Sequence, residues 1–333
     1  MRITRILLSI VFVIAVALAA AVAALWLFGS RTPVDTTINF DEGTIGPDLG
    51  IYLAERESRI DGIRPGSAKQ IIWADPARRE RTDIAIVYIH GFSASPAEVR
   101  PMPDMIAKQL GANLFFTRLT GHGASPEAMG TMTVNALVND FAEAIAIGER
   151  LGKRVVIMAT SSGATLATWG LTQPRYKDRV AAAIFISPNY GVLAFGSSLL
   201  TMPGGREMAR LTIGPIRSFT PHNELHARHW TNNYPVEAVL PMAELVKLVV
   251  AAPVETASTP VLFVFSPGDQ IVDPAVTRSI AARWGGPHRL FEVMDDEDPA
   301  HHVLAGEAIS PSTTEPLARI GTDWLRETLG PGS

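Results

Sequence analysis

Five short runs in this chain, residues 84–89, 113–117, 154–158, 181–186 and 260–265, are almost wholly apolar and show no polar side. A half-exposed strand alternates apolar with polar residues, so a run without alternation belongs to a strand covered on both faces. Helical patterns separate the runs, around 96–110, 132–151, 162–172 and 274–284, with a last one near 314–329. Connecting successive covered strands takes helical crossovers, which are right-handed. The pattern therefore predicts an α/β fold with a mostly parallel central sheet and helices on both faces. Between about 188 and 255 the rhythm breaks. That stretch holds Gly204-Gly205, several prolines and a Trp-Thr-Asn-Asn-Tyr-Pro segment at 230–235, and reads as a cap inserted over the sheet.

The N-terminus sets a second constraint. Residues 6–28 run for 23 positions with Ser9 as the only polar side chain. As a helix they span about 34 Å, enough for a bilayer core of about 30 Å. A secretory signal core is shorter, roughly 7–15 residues, so residues 1–30 read as an uncleaved N-terminal membrane anchor, a transmembrane helix. Small residues between 15 and 24 keep a cleaved signal, and hence a secreted protein, as the alternative. Arg2 and Arg5 precede the run, whereas Arg31 is soon followed by Asp35, Asp41 and Glu42. The positive-inside bias thus predicts a single-pass protein with its folded part on the extracytoplasmic side. Residues 31–50, rich in Thr, Pro, Gly and Asp, read as a linker, and 51–333 as the folded domain with its cap.

Composition excludes several function classes. With 47% hydrophobic and 19% charged residues in 333, the chain can bury a core and is not disordered. A net charge of −4, a pI near 6.1 and no basic tract argue against nucleic acid as a partner. Residues 1–30 hold two arginines and no acid, so the rest carries −6 and is not drawn to anionic lipid by charge. There is no cysteine, which removes disulfides, thiolate metal sites and thiol nucleophiles. No phosphate-cradling glycine loop precedes a Lys-Ser/Thr pair, and no dinucleotide fingerprint follows a strand. His222, His226 and His229 share a helical spacing, but no zinc-protease pattern accompanies them and the segment is rich in turns. No metal and no cofactor is implied.

The chemistry gathers in the turns that follow the apolar runs. After 154–158 comes Ala159-Thr160-Ser161-Ser162-Gly163, then a helix. A serine between a buried strand and a helix can sit on a sharp turn that presents its oxygen above the sheet, with small residues needed two positions either side. Around Ser161 these are Ala159 and Gly163; around Ser162 they are Thr160 and Ala164, and Thr is too bulky. Ser161 is therefore the candidate nucleophile. The run 84–89 ends in His90-Gly91-Phe92, a second turn. Two backbone N–H groups are needed to hold the charge that develops on a carbonyl oxygen. Ser162 supplies one at the helix N-terminus and Phe92 is the candidate for the other, with His90 read as structural. The run 260–265 leads into Ser266-Pro267-Gly268-Asp269, where a triad in the order Ser, Asp, His places its acid. Asp273, before Pro274, reads as a helix cap. After a last strand near 288–294, an acidic run at 295–298 reads as a solvated loop, and His301 and His302 compete for the base.

With these residues in place, the chain resembles the α/β-hydrolase superfamily over roughly residues 80–330. It looks most like the carboxylesterase and monoacylglycerol-lipase-like branch. The resemblance rests on His90-Gly91-Phe92, the Arg-Leu-Thr-Gly-His-Gly segment at 118–123, residues 159–163, residues 266–269 and His302-Val303. In that branch the histidine precedes a valine, which points to His302. The Gly-His-Gly at 121–123 is structural there, so His122 receives no role in proton transfer. Ala159 departs from the glycine common at that position. The resemblance implies an α/β-hydrolase fold and a serine hydrolase cleaving small-molecule or lipid carboxylic esters through Ser161, His302 and Asp269 and an acyl-enzyme. A peptidase or thioesterase shares the same machinery. A catalytically inactive, membrane-anchored binding protein is the alternative from another class.

Overall fold

The computed structural model describes residues 2–330 of the chain, and each apolar run of the sequence lies in a strand of one sheet. In chain order the elements are α1 (Arg2–Phe28), α2 (Leu49–Glu57), β1 (Gln70–Ile72), β2 (Thr82–Ile89), α3 (Met102–Leu110), β3 (Asn113–Phe116), α4 (Val134–Leu151), β4 (Gly152–Thr160), α5 (Ser162–Leu171) and β5 (Ala182–Ile186). After these come α6 (Gly205–Thr212), β6 (Ile216–Ser218), α7 (Glu224–His229), β7 (Asn233–Pro235), α8 (Val239–Val250), β8 (Val261–Phe265), α9 (Pro274–Arg283), β9 (His288–Glu292) and α10 (Pro311–Leu329). The seven-stranded sheet runs β1-β3-β2-β4-β5-β8-β9, with β1 antiparallel to β3 and every other pair parallel. This is the mostly parallel sheet read from the sequence.

The absence of alternation has its cause in the two cores. Ala85, Val87 and Ile89 of β2 join a core built with α4, α5 and Trp284, while Ile84, Ile86 and Tyr88 join one built with α3 and α10. Successive side chains point to opposite faces, and here both faces are dry. β4 does the same, with Val155, Ile157 and Ala159 on one side and Val156 and Met158 on the other.

Register decides where chemistry is possible. Ile89 lies beside Ala159, Thr160 beside Ile186, Ile186 beside Val264, and Phe265 beside Glu292. The strands β2, β4, β5, β8 and β9 therefore end on one edge of the sheet. The turns that follow them, including 90–92, 161, 266–269 and 293–302, converge there, at the carboxyl edge where open α/β sheets bind ligands.

Residues 187–260, between β5 and β8, carry a short turn of helix at 197–201, α6, the paired strands β6 and β7, α7 and α8. α8 packs against α5, so this segment sits over the helix that follows Ser161. Residues 38–45, within the stretch expected to be a linker, are strapped to the domain. Ile38 and Phe40 pack on the core, Asn139 Oδ1 accepts the Asn39 and Phe40 N–H groups, and Glu42 pairs with Arg179. Among the described residues, α1 is the one helix long and apolar enough to cross a membrane; its most apolar stretch has mean hydropathy 3.0 and no buried residue.

Candidate active site

Ser161 leaves β4, the central strand, in a conformation few residues adopt. Its φ is +50° and ψ −119°, a region that costs a side-chain-bearing residue of order 1–3 kcal/mol. The surroundings hold it there. Its N–H donates to the Ile186 carbonyl at 2.9 Å, and its own carbonyl accepts from Ala164, Thr165 and Asn189 at 3.0–3.1 Å. The Thr165 hydroxyl in turn bonds the Asn189 carbonyl at 2.5 Å. The turn also needs Gly163: a Cβ there would stand 2.3 Å from the Ile89 carbonyl oxygen and 2.5 Å from that of His90. Only a glycine lets the start of α5 rest on the end of β2.

Ser161 Oγ lies 3.0 Å from His302 Nε2, and His302 Nδ1 lies 2.8 Å from Asp269 Oδ2. The three side chains thus form one hydrogen-bonded chain although they are spread over 141 residues of sequence. Asp269 spends its other oxygen on the Ile271 and Val272 N–H groups, at 2.8 and 2.9 Å. That fixes the carboxylate plane toward His302. Burial pulls the His302 pKa down, but the hydrogen bond and charge of Asp269, with the charges of Glu98 and Asp298, outweigh it and raise the value above 6.5.

The neighbouring histidine goes elsewhere. His301, at φ +55°, turns its ring to Asp296 at 3.0 Å and is partly exposed. Asp273 caps α9 by accepting the Ala275 N–H at 2.8 Å. The acidic run 295–298 departs from the reading of a solvated loop at Asp298, which is buried. Asp298 accepts from Ala300, His302 and Val303 backbone N–H groups at 3.0, 3.0 and 2.7 Å. It holds the loop that carries His302. An Asp before a proline, with polar residues following within four positions, is the local turn signal that could have found it.

The turn 90–92 comes up against Ser161 from β2: a Cβ on Gly91 would stand 3.2 Å from the Ser161 Cβ and 2.6 Å from Glu98 Oε1. Phe92 and Ser162 therefore belong to the two chain segments that meet beside Ser161 Oγ. His90 is fully buried; its Nε2 accepts the Leu119 N–H at 3.1 Å, which leaves Nδ1–H to donate to the Gly91 carbonyl at 2.9 Å. Burial and the neighbouring His122 keep it neutral. Glu98 had no sequence signal. It is buried and takes the Gly91 N–H at 2.7 Å and the Tyr88 hydroxyl at 2.9 Å. Burial pushes its carboxyl up to about 7. Of the histidines at helical spacing, His226 is packed among the rings of Phe219, His222 and Trp230, and burial lowers its pKa to about 4.

An apolar cavity of about 760 Å³ lies within the 187–260 segment, lined by side chains such as Val192, Leu200, Met208, Met242 and Val246. Met242 Sδ stands 3.2 Å from Asn189 Nδ2, and Asn189 is the residue whose N–H holds the Ser161 carbonyl. The cavity wall therefore touches the residue that holds the Ser161 carbonyl, while Ser161, His302 and Asp269 lie outside its lining.

The family model described as "Alpha/beta hydrolase family" matches residues 86–308. Among curated proteins, no sequence matches. Solved structures share the architecture. A metagenome-derived lipolytic enzyme, from work on LipS and LipT, superposes with a TM-score of 0.65 at 18% identity, covering 80% of this chain and 99% of its own. The monoacylglycerol lipase of Paleococcus ferrophilus gives 0.58 at 16% identity, covering 78% of this chain and 98% of its own. A soluble variant of the monoglyceride lipase of Saccharomyces cerevisiae gives 0.58 at 12%, covering 78% and 91%. At these identities the likeness is one of fold.

Proposed function

The chain belongs to the alpha/beta hydrolase family, and on that premise we propose that it is a serine hydrolase of carboxylic esters, held to a membrane by α1 with its hydrolase domain on the extracytoplasmic side. Ser161 is the nucleophile, His302 the base and then the acid, and Asp269 the group that orients and steadies the imidazolium. The observation that carries this reading is the Asp269–His302–Ser161 hydrogen-bonded chain seated on a strained turn at the end of the central strand.

The chemistry follows from the bonds. His302 Nδ1–H donates to the Asp269 carboxylate, so Nε2 carries a lone pair toward Ser161 Oγ. Ser161 Oγ attacks the ester carbonyl as His302 takes its proton, and the carbonyl oxygen becomes an oxyanion. The Phe92 and Ser162 N–H groups receive that charge; Ser162 stands at the N-terminus of α5, where the helix dipole adds to the field. Collapse expels the alcohol, protonated by His302. Water, deprotonated by the same His302, then cleaves the acyl-enzyme and restores Ser161. Two facts support the substrate class: structures of this fold include lipolytic enzymes and monoacylglycerol lipases, and the inserted segment holds an apolar cavity of the size of small-molecule sites, whose Met242 wall touches Asn189 while Ser161, His302 and Asp269 stand outside its lining.

The test is a chain-length series of acyl esters with the full chain in detergent micelles. The reading expects ester turnover that Ser161→Ala removes by about 10⁴–10⁶-fold and Ser162→Ala largely keeps, since alanine retains the N–H. Turnover of peptides or thioesters but of no ester in the series contradicts it, and loss in Ser162→Ala alone moves the nucleophile by one residue.

A further inference from the structure

The last turn of α1 does not leave the domain freely; it is fastened to the cap. The Gly204 N–H donates to the Ser30 carbonyl at 2.9 Å, and the Ser30 hydroxyl bonds Glu207 of α6 at 3.0 Å. The backbones touch as well: a Cβ on Gly29 would stand 2.4 Å from the Gly204 nitrogen, and one on Gly204 would stand 2.9 Å from the Leu25 side chain. The N-terminus of α6 is thus held at the level where the apolar helix ends.

The same cap carries large apolar side chains that the protein leaves uncovered. Phe195 is fully exposed and Leu211 is 87% exposed, and Met202, Ile213 and Ile216 are about half exposed. All lie within 12 residues of Gly204, the α1 contact, and single scattered apolar residues would need no explanation whereas a group beside an uncovered apolar helix does. Phe195, Leu199 and Ile213 also edge the apolar cavity, whose deeper wall includes Val239 and Met242. Near the contact stand Arg31 and Arg206, cations suited to the headgroup level of a bilayer.

We propose that this face of the cap, from residue 193 to 216, lies on the lipid surface from which α1 emerges, so that the cavity opens toward the bilayer. The proposal rests on the reading of α1 as a membrane anchor and extends it. A helix alone fixes only the distance of a domain from the membrane. Fastening its end to α6 also fixes which side of the domain faces down, and the side chosen is the one with exposed Phe195 and Leu211. An acyl chain then passes from the bilayer into the cavity without crossing water, the step whose cost grows with every CH₂ of a long-chain ester.

The chain has no cysteine, so single-cysteine labelling needs no background removal. An environment-sensitive fluorophore is attached in turn at Ile14→Cys, Phe195→Cys, Leu211→Cys and Lys153→Cys of the full chain in phosphatidylcholine vesicles. Lys153 is exposed at the opposite end of β4 from Ser161. Emission is then read with and without lipids carrying a nitroxide on the acyl chain. The proposal expects blue-shifted emission and loss to the nitroxide at positions 14, 195 and 211, and neither at 153. Loss at 14 but not at 195 or 211 overturns the cap docking and leaves the anchor standing. No loss at 14 overturns the anchor and the docking with it.

Discussion

The strain at Ser161 is open to direct measurement, because two substitutions remove the same oxygen and differ only in what the backbone feels. Ser161→Ala and Ser161→Gly both delete Oγ and its 3.0 Å bond to His302. At φ +50° and ψ −119° an alanine keeps the strain of a Cβ, of order 1–3 kcal/mol, and a glycine does not. The greater freedom of glycine in the unfolded chain returns about 0.5–1 kcal/mol of that. The glycine variant is therefore the more stable by about 0.5–2 kcal/mol. Unfolding entropy near 60 °C is about 2.1 cal/mol/K per residue, so a domain of roughly 300 residues changes its Tm by about 1–3 °C. Differential scanning calorimetry of both variants in the same detergent reads this difference, and neither variant turns over ester. A glycine variant melting at or below the alanine variant refutes the account of the turn, since the serine would then be held without cost.

Three further outcomes follow from the same geometry. His302→Ala lowers kcat/KM by about 10³-fold or more while His301→Ala changes it little, because only His302 faces Ser161; the reverse ranking in steady-state kinetics moves the base. kcat/KM rises with pH as His302 loses its proton, with an apparent pKa raised above the ordinary histidine value because Asp269, with Glu98 and Asp298, outweighs burial; Glu98, itself pushed up to about 7, carries part of a negative charge over that limb, so Glu98→Gln moves the limb to lower pH, and an unmoved limb denies the coupling. Asp298→Ala leaves three backbone N–H groups of the His302 loop without their acceptor, lowering stability by about 2–4 kcal/mol and kcat with it, as read by urea unfolding and single-turnover rates.

What the sequence made legible were the features that local chemistry writes into neighbouring residues. Strands covered on both faces read as unbroken apolar runs, so β2, β3, β4, β5 and β8 could be placed from their residues alone. β1 could not: it has three residues, sits on the sheet edge and is half exposed. The polar α2, with Glu55, Arg56, Glu57 and only Leu49, Tyr52 and Leu53 buried, carries a weak stripe for the same reason. Ser161 was legible because its turn demands small residues at 159 and 163, a local requirement. Glu98 was not, because its place is set by Tyr88 and Gly91 across the fold. His301 and His302 stand in one sequence context, where the resemblance alone favoured His302 through the valine after it; the reason, one ring facing Asp296 and the other Asp269, is set by tertiary structure. The cap lies between these cases. Its interruption of the strand rhythm was visible, while its contact with α1 depends on Gly29 meeting Gly204, far apart in the chain.

The central claim is that Ser161 carries the acyl group between two half-reactions, and the adduct itself is the thing to weigh. The full chain is mixed with a p-nitrophenyl ester, quenched in acid within the first turnover and examined by intact-protein and peptide mass spectrometry. The account predicts one acyl group per chain, located on Ser161, absent from Ser161→Ala and lost on longer incubation with water. Ester turnover with no adduct at any time, or an acyl group on another residue that persists in Ser161→Ala, contradicts it.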